Sequence, residues 1–298
     1  MAKTAFIFPG QGGQFVGQGQ KFLDRGSTLA DLLGLAEKIS GLPLRKISLE
    51  GPLEELNRTV NLQPAILTLS LALAKILEAE GVEPLVAAGH SLGEYGALRL
   101  AGVLSEAETL RLVSARARFM QKAAEERPGV MAAILGLSEE EVVGLCDLGS
   151  SVGLVTPANF NAPGQTVISG ETKAVSAVVR YAQLKKGKAI ILPVTGAFHS
   201  PLMASAAEAM KKLLLEVPFQ KPRFPVIPNA TGEPESDPEK LKQLLIDQIT
   251  SPVRWVKTAQ SLAALGPTEI VECWPKLYVA SLIKKCLPDS TITFRAPA

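Results

Sequence analysis

The chain of 298 residues contains only two histidines, and each of them directly precedes a serine. His90 and Ser91 lie in the sequence Gly-His-Ser-Leu-Gly at 89–93, and His199 lies in Gly-Ala-Phe-His-Ser-Pro at 196–201. Nucleophilic acyl transfer near neutral pH needs an activated nucleophile and a base that titrates near 7. Few pairs in this sequence meet that need, and we expect Ser91 and His199 to be the catalytic pair.

The sequence around Ser91 has the Gly-x-Ser-x-Gly spacing of a nucleophile elbow, a sharp turn that exposes the serine oxygen between a strand and a helix. The apolar run at 85–88 predicts that strand, and residues 92–100 predict the helix, whose first amide groups would face a developing oxyanion. The alternative is a tight glycine turn with a capping serine. Because neighbouring side chains at a strand end point to opposite faces, we expect His90 to point away from the Ser91 oxygen and to have a structural role.

A carboxylate that could complete a Ser-His-acid triad is hard to find. Asp147 is the only aspartate between Ser91 and His199, and it lies in or just after a helix of a separate small domain. The sequence therefore favours a Ser-His pair that is oriented by an amide or by a main-chain carbonyl.

Two of the arginines in the predicted helix at 105–126, which follows the elbow, are candidates for binding an anion. Arg116 and Arg118 are two residues apart and so face different directions. A buried arginine needs an anionic partner, and its planar fork suits a carboxylate. A solvated helix face is the ordinary alternative for either residue.

The order of predicted elements indicates an α/β protein with an inserted small domain. Strands and helices alternate in the flanks, 1–127 and 196–298, which we expect to form one unit around a parallel sheet. Residues 128–195 read strand-helix-strand-strand-helix-strand, the ferredoxin-like order, with a capping box at 138–141. Three further details are expected: Pro64 at the first position of a helix, a strand at 188–194, and a surface excursion with one short strand at 218–237.

Composition excludes several classes of partner and cofactor. The net charge of +2 comes from interspersed acids and bases, so no nucleic-acid patch is indicated. The three cysteines have no CxxC spacing, which argues against a disulfide framework and a zinc site. The loop at 8–14 matches neither phosphate-binding nor dinucleotide-binding glycine patterns. We expect no metal and no bound cofactor. We also expect no membrane span, because no run approaches about 18 apolar residues, and a cytoplasmic location, because the N-terminal apolar run is too short for a signal peptide.

With these residues placed, the chain resembles the malonyl-CoA:acyl carrier protein transacylase family over nearly its whole length. Each of the matching segments occurs in the family order, and together they are specific. They are the segments at 8–12 (Phe-Pro-Gly-Gln-Gly), 63–65 (Gln-Pro-Ala), 89–95 (Gly-His-Ser-Leu-Gly-Glu-Tyr), 116–121, 159–165, 196–203 and 248–255.

The resemblance implies an α/β-hydrolase-like core with a ferredoxin-like insertion, and it implies roles for individual residues. Ser91 would form the acyl ester, His199 would be its general base, and Arg116 would bind the malonyl carboxylate. Four more residues would complete the substrate-binding site. Gln11 and Leu92 would supply the oxyanion-hole amides, Gln248 would orient His199, and Gln63 would stand at the start of a helix. The implied substrate is malonyl-CoA, and the implied partner is acyl carrier protein with its phosphopantetheine thiol; a monomer is expected.

One stretch departs from the family pattern. After the predicted strand at 269–272 the family usually has a Gly-Pro-Gly turn, whereas this chain has Cys-Trp-Pro-Lys-Leu-Tyr at 273–278. Without the two glycines the turn cannot adopt positive φ values at low cost. We therefore expect a different backbone at this turn and, where the turn borders the substrate channel, a different channel edge. A free-standing acyltransferase that serves a polyketide synthase is therefore an alternative to fatty acid synthesis. A serine hydrolase or thioesterase is the rival enzyme class, and a non-catalytic scaffold is the third reading.

Overall fold

A computed structural model describes residues 3–23 and 26–297. Within these residues the chain forms thirteen α-helices and nine strands, with a single 3₁₀ turn at Pro201–Met203. The strands are β1 (Thr4–Phe8), β2 (Pro84–Gly89), β3 (Val130–Leu135), β4 (Val155–Ala162), β5 (Gln165–Gly170), β6 (Lys188–Ile191), β7 (Val226–Ile227), β8 (Glu269–Glu272) and β9 (Thr293–Arg295). The helices are α1 (Gln20–Leu23), α2 (Thr28–Ser40), α3 (Leu44–Glu50), α4 (Leu53–Asn57), α5 (Thr59–Ala79), α6 (Gly93–Leu100), α7 (Glu106–Glu126), α8 (Glu139–Gly149), α9 (Thr172–Leu184), α10 (Ala204–Leu215), α11 (Pro238–Asp247), α12 (Trp255–Ala264) and α13 (Val279–Cys286).

Five of the strands form a parallel sheet in the order β7-β2-β1-β8-β9. Helices cover both of its faces, and the alternation of side chains along β1 shows how. Phe6 and Phe8 belong to the large core with α2, α5 and α7, whereas Ala5 and Ile7 pack into a second core with α12 and α13. A strand that is buried on both faces reads as a continuous apolar run, and the prediction of a parallel α/β unit is confirmed.

The remaining four strands form a separate antiparallel sheet in the order β4-β5-β3-β6. Along the chain its elements run β3-α8-β4-β5-α9-β6, which is the predicted order. Helix α8 begins at the predicted capping box, in which Ser138 and Glu141 bond each other's main-chain amides. A core of its own lies between this sheet and its two helices.

Three details of the sequence prediction are wrong. Pro64 lies inside α5, not at its first position, because the Arg58 carbonyl already accepts amides of the first helical turn. The strand predicted at 188–194 ends at Ile191, since Pro193 has no N–H to continue a ladder. The segment 218–237 is more than a surface excursion, because its strand β7 joins the parallel sheet and Asn229 behind it is fully buried.

Among the described residues, α5 is the one helix long and apolar enough to cross a membrane by length and composition. Of the window that meets this criterion, 83% is buried inside the fold. The core helix of a globular protein passes the same test, and α5 packs against α2 and α7 in the large core.

Candidate active site

The site lies at the carboxyl edge of the parallel sheet, where three neighbouring strands end. Gln11 follows β1, Ser91 follows β2 and Asn229 follows β7. Because parallel strands end at the same edge, three segments that are far apart in sequence deliver polar groups to one place. The remaining groups come from α5, α7 and the loops before α10 and after α11.

Ser91 occupies the sharp turn between β2 and α6 that the Gly-x-Ser-x-Gly spacing predicts. Its φ is +50°, a conformation that side-chain-bearing residues seldom adopt. The flanking glycines make the turn possible: a Cβ on Gly89 would overlap the backbone of Gly93, and one on Gly93 would overlap the carbonyl of Phe8. The structure therefore has the geometry of a nucleophile elbow.

His199 is paired with Ser91, and the distance between Nε2 and the serine Oγ is 2.7 Å. Its other ring nitrogen, Nδ1, lies 3.0 Å from the Gln248 carbonyl oxygen and 3.1 Å from that of Ser251. Carbonyl oxygens only accept hydrogen bonds, so the proton belongs on Nδ1 and Nε2 presents its lone pair to the serine. Of the two orienting groups that the sequence left open, the main-chain carbonyl is the one present.

Burial is the first cause that lowers the pKa of His199, from 6.5 to about 3, and the positive charge of Arg116 is the second. The side chain is 3% exposed. The imidazole is therefore neutral and able to accept a proton throughout the physiological pH range. A rate that follows an ordinary histidine titration near pH 6.5 is not what this geometry predicts.

Arg116 is completely buried and reaches the nucleophile, whereas Arg118 is exposed. One terminal nitrogen, Nη2, donates to Ser91 Oγ at 3.1 Å and to Gln248 Oε1 at 3.1 Å, and Nη1 donates to Gln63 Oε1 at 2.7 Å. No carboxylate lies within salt-bridge distance of Arg116 in the described part of the chain. A buried cation of this kind is ready to receive an anion.

Two glutamines bond Arg116, and one of them connects it to the glycine-rich loop after β1. Gln63 on α5 uses its Oε1 for Arg116, and its Nε2 lies 3.4 Å from Gln11 Oε1. Gln248 at the end of α11 bonds the arginine through its side chain and His199 through its carbonyl. The site residues predicted from the sequence are thus brought together, with Gln248 orienting His199 through its main chain.

Asn229 and Glu94 are polar residues of the site that sequence reasoning missed. Asn229 accepts the Ser91 amide through Oδ1 and donates through Nδ2 to the Gly89 carbonyl at 2.6 Å. Glu94 Oε2 accepts the Asn229 amide at 2.9 Å and Gln248 Nε2 at 2.8 Å. Burial raises the pKa of Glu94 to about 7, against the opposing effects of these two hydrogen bonds and of Arg116. The short strand predicted within 218–237 is the one signal that the sequence offers for Asn229.

His90 has its described partners in the small sheet and in α12 rather than at Ser91, in keeping with the structural role expected of it. Its Nε2 lies 2.8 Å from Asn161 Oδ1 in the small sheet, and its ring packs edge-on against Trp255 with centroids 5.2 Å apart. Burial lowers the pKa of His90. It therefore joins the two sheets as a neutral ring.

Two adjacent cavities, which share part of their lining, lie at the site. The inner cavity, of about 100 Å³, contains Ser91 and His199 and is otherwise lined mainly by apolar side chains: Met120, Met131, Leu192, Val194 and Phe198. The outer cavity, of about 150 Å³, shares Gln11, Leu192 and Val194 with the inner one and extends to Gln14, Asn57 and Tyr278. The inner cavity is therefore a small space beside the Ser91 oxygen that could receive a short acyl group.

Comparisons with known proteins show the family to which the chain belongs. The family model described as acyl transferase domain matches residues 5–290. The malonyl CoA-acyl carrier protein transacylase of Escherichia coli K12 is 37% identical over 98% of this chain and 95% of its own length. Two solved structures each match 99% of this chain. The malonyl CoA-acyl carrier protein transacylase of Coxiella burnetii has a TM-score of 0.95 and 34% sequence identity, and the match covers 94% of its chain. A malonyl-transacylase in complex with its type II PKS acyl-carrier protein has a TM-score of 0.94 and 33% identity, and the match covers 96% of its chain. The chain belongs to the malonyl-CoA:acyl carrier protein transacylase family of acyl transferases.

Proposed function

We propose that this protein transfers a malonyl group from malonyl-CoA to the phosphopantetheine thiol of an acyl carrier protein, through an acyl ester on Ser91. The observation that carries the proposal is the buried guanidinium of Arg116, 3.1 Å from the oxygen of a serine that is itself paired with a neutral histidine. A nucleophile beside a buried cation suits an acyl group that carries a free carboxylate. The relatives are known as transacylases that use the same donor and acceptor.

The first half-reaction begins when Ser91 Oγ attacks the thioester carbonyl of malonyl-CoA. Nε2 of His199 takes the serine proton, and the Nδ1–H bonds to two carbonyl oxygens hold the ring in place for that transfer. The carbon-sulfur bond then breaks, and the imidazolium returns its proton to the departing CoA sulfur. The second half-reaction reverses the roles: His199 takes the carrier thiol's proton, the thiolate attacks the ester, and Ser91 regains the proton as it leaves.

The amides of Gln11 and Leu92 are the proposed donors to the oxyanion that forms in each half-reaction. Leu92 stands at the N-terminus of α6, where first-turn amides have no helical partner. No hydrogen bond from either amide to a described residue occurs, whereas the Ser91 amide is taken up by Asn229. Gln63 and Gln248 hold Arg116 in position for the malonyl carboxylate.

The architecture that we propose for this function is an α/β-hydrolase-like large domain, 1–127 and 196–298, with a ferredoxin-like small domain at 128–195. An elbow at the carboxyl end of a parallel strand supports the first assignment, and the sheet order β4-β5-β3-β6 supports the second. The carrier protein belongs to fatty acid synthesis or, by analogy with the complex that contains a type II PKS acyl-carrier protein, to polyketide synthesis. The proposed steps use only protein groups and need no metal or bound cofactor.

Intact-mass spectrometry tests the proposal directly. Incubation with malonyl-CoA should add one malonyl group to the protein, and holo-acyl carrier protein should then remove it and carry it. Ser91→Ala should show no adduct, while Ser205→Ala, which changes an exposed serine on α10, should behave as wild type. Release of free malonate with no labelled carrier would identify a hydrolase instead, and an adduct on Ser91→Ala would contradict the assignment of the nucleophile.

A further inference from the structure

The segment 273–278, where this chain departs from the usual family turn, is fixed at both ends. At its start the Cys273 amide donates to the Ile7 carbonyl at 2.8 Å, next to the end of β1. At its end the buried carboxylate of Glu272 accepts three amides at the N-terminus of α13, those of Tyr278, Val279 and Ala280, at 2.7 to 3.0 Å. The side chains between these anchors are therefore held against the loop that follows β1.

The contacts between the two segments involve every second residue of that loop. Trp274, which is 1% exposed, donates its indole N–H to the Gly13 carbonyl at 3.3 Å. Tyr278 directs its hydroxyl at the Gln11 carbonyl at 3.5 Å. A third contact places Lys276 Nζ 4.6 Å from the centre of the Phe15 ring.

Two glycines allow the Tyr278 ring to lie directly on the loop backbone. Gly12 has a φ of +118°, and a Cβ there would overlap the tyrosine hydroxyl. A Cβ on Gly13 would lie 3.0 to 3.1 Å from the ring and 3.3 Å from the Trp274 nitrogen. The hydroxyl contact of Tyr278 is longer than a good O–H···O hydrogen bond, so the ring contributes more to this packing than the hydroxyl.

The loop that is held in this way carries Gln11. This residue lines both cavities, and Gln63 connects it to Arg116. Catalysis by an oxyanion donor depends on its position, and a misplacement of about 1 Å can cost about a hundredfold in rate. A shift of the loop would move the Gln11 amide away from the carbonyl oxygen that becomes the oxyanion when Ser91 attacks.

We propose that Trp274 and Tyr278 are positioning residues, an aromatic clamp that holds Gln11 in place for stabilisation of the oxyanion. The proposal rests on the proposed function, since it assumes that Ser91 is acylated with Gln11 as an oxyanion donor.

The test compares Tyr278→Leu and Tyr278→Phe with the same changes at Tyr181, a tyrosine of similar exposure on α9 (37% against 36%). Acylation of Ser91 is followed with malonyl-CoA and with p-nitrophenyl acetate, a small ester that does not need the outer cavity. Tyr278→Leu should slow both reactions about tenfold, a fraction of the 10²–10³ lost when an oxyanion donor is removed outright. Tyr278→Phe should restore the rate to within about twofold, because it keeps the ring.

A slower reaction with malonyl-CoA alone would overturn the clamp, because it would mean that Tyr278 only shapes the outer cavity. Equal rates for Tyr278→Leu and Tyr181→Leu with both esters would overturn it as well. If Tyr278→Leu does not fold, Gly13→Ala displaces the ring from the loop side and should give the same slowing of both reactions. The wild-type protein tests the proposed function separately: failure to transfer malonyl groups to a carrier protein would count against that function, whereas the p-nitrophenyl acetate comparison would still decide on the clamp.

Discussion

His199, the base of the proposed mechanism, should stay unprotonated and active at pH values far below the usual pKa of histidine. Burial and the Arg116 charge lower the pKa of His199 to about 3, so at pH 5 about 99% of the imidazole is neutral. With an ordinary pKa of 6.5 the neutral fraction at pH 5 would be about 3%. At pH 5 the neutral fraction of His199 is therefore about thirtyfold higher with a pKa of about 3 than with a pKa of 6.5. Only the ordinary pKa would make the rate fall as the pH is lowered to 5.

Glu94 is the group that should produce any change of rate between pH 6 and 8, because burial raises its pKa to about 7. It bonds Asn229 and Gln248, which hold Ser91 and His199. Glu94→Gln keeps an oxygen acceptor and removes the titration. We expect kcat/KM for acylation by malonyl-CoA to be flat from pH 5 to 8 in this variant, apart from effects that the substrate itself brings.

The assay is quenched-flow acylation at malonyl-CoA concentrations well below KM, since kcat/KM reports the ionisation of the free enzyme. Saturating substrate would place a carboxylate beside Arg116 and remove one cause of the low His199 pKa. His199→Ala is the control and should be slower by about 10²–10⁴, the usual contribution of general acid–base catalysis. A thirtyfold fall between pH 7.5 and 5 that persists in Glu94→Gln would refute the argument that burial and Arg116 keep His199 neutral.

Three substitutions separate the roles of the other site residues. Arg116→Ala should cost about 2–5 kcal/mol in malonyl transfer while acetyl transfer holds or rises, since it leaves only the malonyl carboxylate unpaired; equal losses in the two transfer assays would contradict this role. Asn229→Ala should lower the free energy of unfolding by about 1–3 kcal/mol and slow acylation, because it leaves the Ser91 amide and the buried Gly89 carbonyl without their hydrogen-bond partner. Denaturant melts and single-turnover rates measure the two effects, and the absence of either would refute the role of Asn229 in holding Ser91. His90→Ala should lower the melting temperature more than the acylation rate, and a variant that folds normally but is as slow as His199→Ala would reverse the assignment.

The features that the sequence predicts well are those encoded over a few neighbouring residues. The elbow needs small residues two positions before and after Ser91, and the close backbone contacts of Gly89 and Gly93 explain that spacing. The scarcity of histidine made the pairing of Ser91 with His199 predictable without knowledge of the fold. The capping box before α8 is a local signal of the same kind, and it is present.

The features that it does not predict depend on the order of strands in the sheet. Asn229 anchors Ser91 only because β7 lies beside β2, and the two strands are separated by more than a hundred residues that carry no signal of this pairing. The low pKa of His199 also depends on residues that are distant in the sequence. A reference pKa describes a solvated imidazole, whereas the packing of the fold removes water from the ring and places Arg116 nearby. Pro64 shows the opposite error, since a local preference for the first helical position was overridden by a start at Thr59.

The electrostatics of the free site give a physical reason for selectivity toward a carboxylated acyl group. Arg116 is buried and bonded to amides and a hydroxyl, with Glu94 contributing only through space. A buried cation without a paired anion is costly, and neutral partners compensate it only in part. A malonyl group would bring the missing charge with the reacting carbonyl, whereas an acetyl group would fill the same small cavity and leave the cation as it was. The carboxylate would also weaken one of the two effects that lower the His199 pKa, so binding of the preferred substrate would strengthen the base in the complex that needs it.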